Sequence, residues 1–228
     1  MRVGVFDIGY ANFAFAVEEY RNRDVKTLQQ AYSKLPKKEK IIERRQHSIL
    51  LRTILYKFYG QGSTIHLDLV NLNKGKKIGL QNSTRRHLAE YLATKKEILQ
   101  TCDYILIEQQ FKTGGACNFD AILLGESTYS WCVFNLTDIE ISYTPSRYKT
   151  CILGCPRSIL DIKENGLRVA RDIKKSDRKK WSKQMAIMIL TRRKDTEHIN
   201  YIESRKGDDV SDCILMSLAW LLKTFVMD

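Results

Sequence analysis

The chain has 228 residues, enough for one large domain or two small ones; its 43% hydrophobic content, with only 3 prolines and 12 glycines, excludes disordered, collagen-like and linker-like chains. No run approaches about 18 uninterrupted apolar residues, so no membrane span is expected. The formal net charge of +12, from 38 basic and 26 acidic residues, favours an anionic partner, and nucleic acid is the commonest one.

The first strand begins almost at Met1, without the pattern of a secretory leader, so a protein that is intracellular and not secreted is expected. Cys102, Cys117, Cys132, Cys151, Cys155 and Cys213 are scattered through apolar segments. No second Cys or His pair follows Cys151 and Cys155 at zinc-site spacing, so free thiols are expected.

Val3–Asp7 and Phe13–Val17 flank Ile8–Asn12 and predict an opening β-hairpin. The stretch from Glu18 to Lys40 is polar and breaks the pattern. Ile41, Ile42, Ile49, Leu50, Ile54, Leu55 and Phe58 then recur near helical spacing, predicting a helix over 39–59 that stops at Gly60, Gly62 and Ser63. A strand is predicted over 64–72, followed by a loop with Lys74, Lys76 and Lys77. Ser83 or Thr84 caps a helix running to about Gln100.

Tyr104–Ile107 reads as a buried parallel strand that delivers Glu108 at its C-terminal end. A helix over 119–134 and a strand over 139–143, ending at Thr144-Pro145, come next. Residues 163–195 form a block of 12 Lys/Arg against 4 Asp/Glu, with a helix over 180–192. The last element, 209–226, is an apolar helix with acids at its start. This order predicts one α/β domain around a mixed sheet.

The acids carry the chemistry. Asp7 ends a strand before a glycine turn, where capping local N–H groups is the plain alternative. Glu108 follows Ile-Leu-Ile, and a carboxylate buried there needs a cation or a proton. Asp208, Asp209 and Asp212 open the last helix; Asp209 and Asp212 are three apart and share a face, as do Asp208 and Asp212. One acid there is an ordinary helix cap, but three repel one another, and a divalent cation relieves that repulsion. Together the set can hold two Mg²⁺ ions about 4 Å apart, one activating water and the other stabilising the leaving oxygen of a phosphodiester. Without a His or Cys ligand set, hard cations are favoured over zinc.

Strand-borne Asp7-Ile8-Gly9, then Ile107-Glu108-Gln109-Gln110-Phe111, then Asp209-Val210-Ser211-Asp212 resemble the RuvC family of Holliday-junction resolvases, in particular its poxvirus-type and mitochondrial branches. Asn118-Phe119-Asp120 with the helix through Gly125 to Trp131, Tyr143-Thr144-Pro145-Ser146-Arg147-Tyr148-Lys149, and Ser182-Lys183-Gln184 resemble further segments of that family. The resemblance covers about 1–18 and 84–224. It implies a ribonuclease H-like fold, a five-stranded mixed sheet flanked by helices, across the whole chain. It also implies Asp7, Glu108, Asp209 and Asp212 as catalytic metal ligands for two Mg²⁺ ions, with Mn²⁺ as a substitute. Its further implications are a homodimer, a four-way DNA junction cut by paired nicks, and, for a viral chain, a viral DNA replication site or the host nucleus or cytoplasm. The family's Asp-x-x-Asp spacing selects Asp209 over Asp208.

The departure from that family is a basic helical insertion at about 19–61, carrying Lys37, Lys38, Lys40, Arg44, Arg45 and Arg52. It either contacts DNA or covers the sheet. In the basic block, Lys183 is the first choice for a lysine near the scissile phosphate and Lys149 the second; Lys149, Lys179, Lys180 and Lys183 are the expected DNA contacts. Tyr143, Tyr148 and Trp181 lie among these charges, with base stacking and core packing both open to them. Surplus apolar residues on the helix over 119–134 (Ile122, Leu123, Leu124, Trp131, Val133 and Phe134) suit a dimer face or burial under the insertion. Three other functions are open to the same residues: a ribonuclease H-type enzyme on RNA–DNA hybrids, a non-enzymatic DNA-binding protein, and an actin-like phosphotransfer enzyme. The last needs a second similar domain that the chain does not show.

Overall fold

A computed structural model describes residues 1–40, 47–74, 79–110, 118–162, 168–204 and 207–227. Strands β1 (Arg2–Asp7), β2 (Phe13–Glu19), β3 (Ser63–Val70), β4 (Tyr104–Gln109) and β5 (Glu140–Pro145) form one sheet in the order β3-β2-β1-β4-β5. β1 pairs antiparallel with β2, and β2 with β3, while β1, β4 and β5 run parallel. The sheet is therefore mixed, with a meander on one side and crossovers on the other.

Alternation along the strands makes two cores. Phe6, Phe13, Phe15, Val17, Ile105 and Ile107 point to one face, where they are buried with Leu88 and Leu92 of α3 (Asn82–Thr94) and Leu124 and Cys132 of α5 (Phe119–Asn135). Val3, Val5, Ala14, Ala16 and Leu106 point to the other face, against the almost wholly buried α9 (Asp208–Leu222). A short helix, α4 (Lys96–Leu99), follows α3 after a break at Lys95 and leads into β4. By length and composition, Asp208–Met227 would pass for a membrane span; here it is a core helix, ending in a wider π turn at Lys223–Met227.

Several expected elements are redrawn. The polar stretch after Glu18 contains α1 (Asn22–Ser33), held by Val25, Leu28 and Tyr32 at helical spacing. The helix expected over 39–59 is shorter. A 3₁₀ turn at Lys37–Glu39 comes first, and α2 (Ile49–Tyr59) starts where the Ser48 hydroxyl accepts from the Leu51 N–H at 3.1 Å. Ile41, Ile42, Arg44 and Arg45 lie outside the described residues, as do Lys76, Lys77, Phe111 and Cys117. Leu51, Leu55 and Phe58, in the stretch expected as an insertion, are buried in the α9-side core, on the opposite face of the sheet from α5. The surplus on α5 is therefore not buried under that stretch: Val133 and Phe134 are exposed, as is Phe119 at the start of the helix.

The basic block is divided as well. α6 (Arg147–Ile152) follows β5, and β6 (Ser158–Ile162) and β7 (Arg168–Asp172) form a separate two-stranded antiparallel sheet. α7 (Lys175–Arg193) begins five residues before the expected Lys180, and α8 (Thr196–Ser204) links it to α9. Strands of five residues, Ser-Ile-Leu-Asp-Ile and Arg-Val-Ala-Arg-Asp, lack the apolar alternation that reveals a strand in sequence. The described cysteines are free thiols, with Cys102, Cys132, Cys155 and Cys213 buried.

Candidate active site

The register of the sheet brings the first two acids together. Val5 lies opposite Leu106 and Phe6 opposite Ile107 in parallel pairing, so one step on Asp7 meets Glu108. Asp7 shares its face with Val3 and Val5, and Glu108 shares its own with Leu106; both side chains therefore point to the α9 side. Glu108 is within β4, one residue from its end, and is buried.

α9 supplies the next two. Its N-terminus is fixed by Gly207, where a Cβ would fall 2.3 Å from the Ile202 carbonyl oxygen of α8, so only glycine permits this approach. Asp209 and Asp212 face a cavity of 470 Å³ that Asp7 and Glu108 also line. Asp208 does not line it, and its carboxylate is held by the Lys179 ammonium.

The cation at the centre is Lys149, from α6. Its Nζ donates to Glu108 Oε1 at 3.1 Å and to Asp212 Oδ2 at 2.6 Å. Gln110 Nε2 donates to Glu108 Oε2 at 2.9 Å. Asp209 Oδ2 and Asp212 Oδ1 are buried without a hydrogen-bond partner. The mouth is basic: Lys175, Arg178 and Lys179 of α7 and Arg147 of α6 line it. Lys179 Nζ also stands 3.7 Å from Asp209 Oδ1.

Proton affinities follow from this packing. Burial, and then the charge of Glu108, raise the Asp7 carboxyl well above the usual carboxylate range. Burial pushes Glu108 up too, but the Lys149 ammonium and hydrogen bonds from Asp7, Lys149 and Gln110 outweigh it and leave its pKa low. A proton retained by this pair therefore sits on Asp7. Asp209 is raised by burial and by the neighbouring Asp208. Burial works against the charge of Lys149, but Glu108, Asp212 and Asp7 outweigh it, so the ammonium keeps its proton.

The four acids chosen from sequence thus line one cavity. The lysines sort differently: Lys149 is inside the cluster, Lys179 lines the cavity, Lys180 is exposed, and Lys183 is half-buried and absent from the cavity wall. Lys175 and Arg178 were not singled out by sequence. They recur with Lys179 and Ser182 at i, i+3, i+4 and i+7, a stripe visible only once the helix is started at Lys175. Tyr143 stacks on Tyr129 at 5.3 Å.

An all-oxygen donor set with two orphaned oxygens fits a hard divalent cation. Among the described residues no three acidic, His or Cys side chains close into a ready metal cage, and the Lys149 ammonium supplies part of the counter-charge.

No family model matches the sequence, and no curated protein does. Solved structures do match. The Fowlpox virus resolvase in complex with substrate Holliday junction DNA superposes with a TM-score of 0.51 and 14% identity over 98% of each chain. Thermus thermophilus RuvC superposes with a TM-score of 0.50 and 10% identity, over 98% of this chain and 95% of that one. The chain therefore has the ribonuclease H-like fold of the RuvC-type resolvases, the five-stranded mixed sheet flanked by helices.

Proposed function

We propose that this protein is a metal-dependent endonuclease that resolves four-way DNA junctions. The observation that carries the reading is the cavity itself: four core-borne carboxylates, two with unpartnered oxygens, beneath a rim of Lys175, Arg178 and Lys179 on a ribonuclease H-like sheet. The two resolvase structures that share the fold make branched DNA the substrate of choice.

Asp7, Glu108, Asp209 and Asp212 would hold the divalent cations, Mg²⁺ first and Mn²⁺ as a substitute. When bound, such ions polarise the attacking water and neutralise charge on the leaving oxygen. The chain's own residues set the geometry. Gln110 and Lys149 fix the two oxygens of Glu108. Lys149 also offers a positive charge where the phosphate gains negative charge, the role that sequence had given first to Lys183. Lys175, Arg178 and Lys179 bind flanking phosphates and orient the strand over the acids.

Paired nicks need two sites. We place the second copy against α5, whose Phe119, Val133 and Phe134 are 65%, 47% and 86% exposed. Sedimentation at micromolar concentration checks this: a dimer is expected, and substituting Phe134→Asp should return a monomer.

The direct test incubates the protein with labelled four-way junction, plain duplex and RNA–DNA hybrid, with Mg²⁺ and with chelator. Junction cutting in Mg²⁺ alone is expected. Preferential cutting of the hybrid would reassign the enzyme to the ribonuclease H type, and metal-independent binding without cutting would make it a binding protein.

A further inference from the structure

A second groove lies along the face of α7 next to the one that meets the acids. The helix turns Lys175, Arg178, Lys179 and Ser182 to the carboxylate cavity, and Trp181, Met185 and Met188 to a groove of 470 Å³. α6 is divided in the same way: Lys149 and Thr150 line the first cavity, and Leu153 and Gly154 beyond its end line the second. Arg178 and Trp181, three residues apart on a helix, differ by about 4.5 Å along its axis. They also project about 60° apart around the axis, and a strand advances about 3.4 Å per stacked nucleotide, so DNA leaving the acids reaches the groove within a few steps.

The far wall comes from the 19–61 stretch, which the sequence reading set apart from the family. α2 contributes Arg52, Thr53, Tyr56 and Tyr59. Tyr56 is 47% exposed, and the Arg192 guanidinium lies over its ring at 4.1 Å from the centroid. Arg52 is exposed at the rim. His47 is only 8% exposed, yet its Nε2 finds no hydrogen-bond partner. Gly154, at φ +77°, lies against that imidazole; a Cβ there would come within 3.0 Å of the His47 Cε1, so a side chain would displace the ring from the wall. No Asp or Glu is found among the described lining residues.

We propose that this groove receives an unstacked base of the DNA strand that leaves the carboxylate cavity. The inference rests on the nuclease reading and extends it to where the strand goes next. Aromatic faces, one backed by a cation, and a thioether floor stack on any base without reading sequence. Arg52 and Arg192 balance the attached phosphates. A Glu-rich peptide would use the two cations but leave the rings and thioethers without a matching surface. A branch point, where stacking is already interrupted, gives up a base at lower cost than a continuous duplex.

The experiment uses the full chain in chelator, so that nothing is cut. A four-way junction carries 2-aminopurine at a branch-point position, and a duplex of equal length serves as control. Wild-type protein should quench the probe on the junction. Arg52→Ala with Tyr56→Ala, both exposed positions, should abolish the quench and weaken junction binding about tenfold, with under about twofold change on the duplex. Tyr56→Phe should restore the quench. Thr53→Trp, which fills the groove from a position exposed to solvent, should reproduce the double variant, and circular dichroism melting checks that each variant folds.

An unchanged quench and affinity in both variants overturns the proposal. Equal losses on junction and duplex overturn it too, because they describe plain phosphate contacts. So does a Glu-rich peptide that outcompetes the junction in wild type and loses its binding in the double variant. Failure of the wild-type protein to bind the junction at all would instead sink the nuclease reading, and this proposal with it, before any variant is compared.

Discussion

Two buried acid–base arrangements occupy opposite ends of one face of the sheet. Near the start of β1, Glu18 of β2 lies opposite Val3; at its other end are Asp7 and Glu108. Glu18 is closed off. Its Oε1 accepts from Thr64 at 2.7 Å, and its Oε2 accepts from Tyr20 and from Arg193, at the far end of α7. The Ser217 hydroxyl of α9 in turn lies 3.2 Å from the Tyr20 oxygen and donates to it, so the same two helices brace both ends. At the Asp7 end four acids meet one central lysine, two oxygens go unpartnered, and the cavity opens between cationic side chains. Burial of charge is common to both. A carboxylate with every oxygen filled is structural, whereas surplus acid with unfilled oxygens and an open mouth is equipment for binding.

Substitutions should pull the two ends apart. The largest expected effect is on chemistry: Asp7→Asn or Glu108→Gln should lower junction cleavage by at least about 10³-fold, because each removes a metal ligand and little volume. Asp7→Asn should leave the urea midpoint unchanged or raised, since it removes an acid whose pKa burial and Glu108 already push up. Substantial cleavage by either variant would remove the distinction between the two ends. Glu18→Ala should do the reverse. It strands the 2%-exposed Arg193 without its carboxylate, at a cost of about 3–5 kcal/mol in denaturant titrations. Replacing both partners, Glu18→Gln with Arg193→Met, should recover part of that loss, and a double-mutant cycle measures how much.

The acids were legible because each sits where a simple pattern ends: Asp7 after Val-Gly-Val-Phe, Glu108 after Ile-Leu-Ile, and Asp209 and Asp212 ahead of an apolar helix. Strand parity then puts Asp7 and Glu108 on the face that α9 covers. The central cation was harder. Sequence puts Lys183 first because Ser182-Lys183-Gln184 in the basic block resembles the family's lysine-bearing helix, and Lys149 second. What places Lys149 is the sheet order. β5 runs parallel to β4 with Thr144 opposite Glu108, so the first turn after Pro145 leaves at the same end of the sheet as the acids. Helix α1 was illegible for another reason. Three apolar anchors in the twelve residues of α1 are enough once α2 and the end of α9 cover them, but too few to show a period alone.

The smallest expected effect separates the histidines from the acids by pH. Burial, and then Arg52, lower the pKa of His47 below 6.5 despite a hydrogen bond with the Ile152 backbone; burial, and then Lys95, lower that of His66. Below about 6.5 the unfolded chain therefore takes up protons that the folded chain refuses. The stability these rings contribute is complete above that pH and is lost as the pH falls through their folded values. Asp7 acts in the opposite sense. Its raised pKa means that the folded chain holds the extra proton, so its contribution is lost as the pH rises through the folded value. Asp177, held at about 2 by Arg171 and by the Lys174 N–H, titrates only in stronger acid. The wild-type slope between pH 5 and 7 is thus a difference of opposed effects, and only the comparison with a variant isolates the rings. His47→Gln keeps a polar side chain beside Gly154 but cannot protonate. Urea unfolding of the metal-free protein at half-unit steps should show the wild type losing stability relative to His47→Gln as the pH drops from 7 to 5. Parallel curves would mean that the imidazole is as free to protonate in the fold as in the unfolded chain.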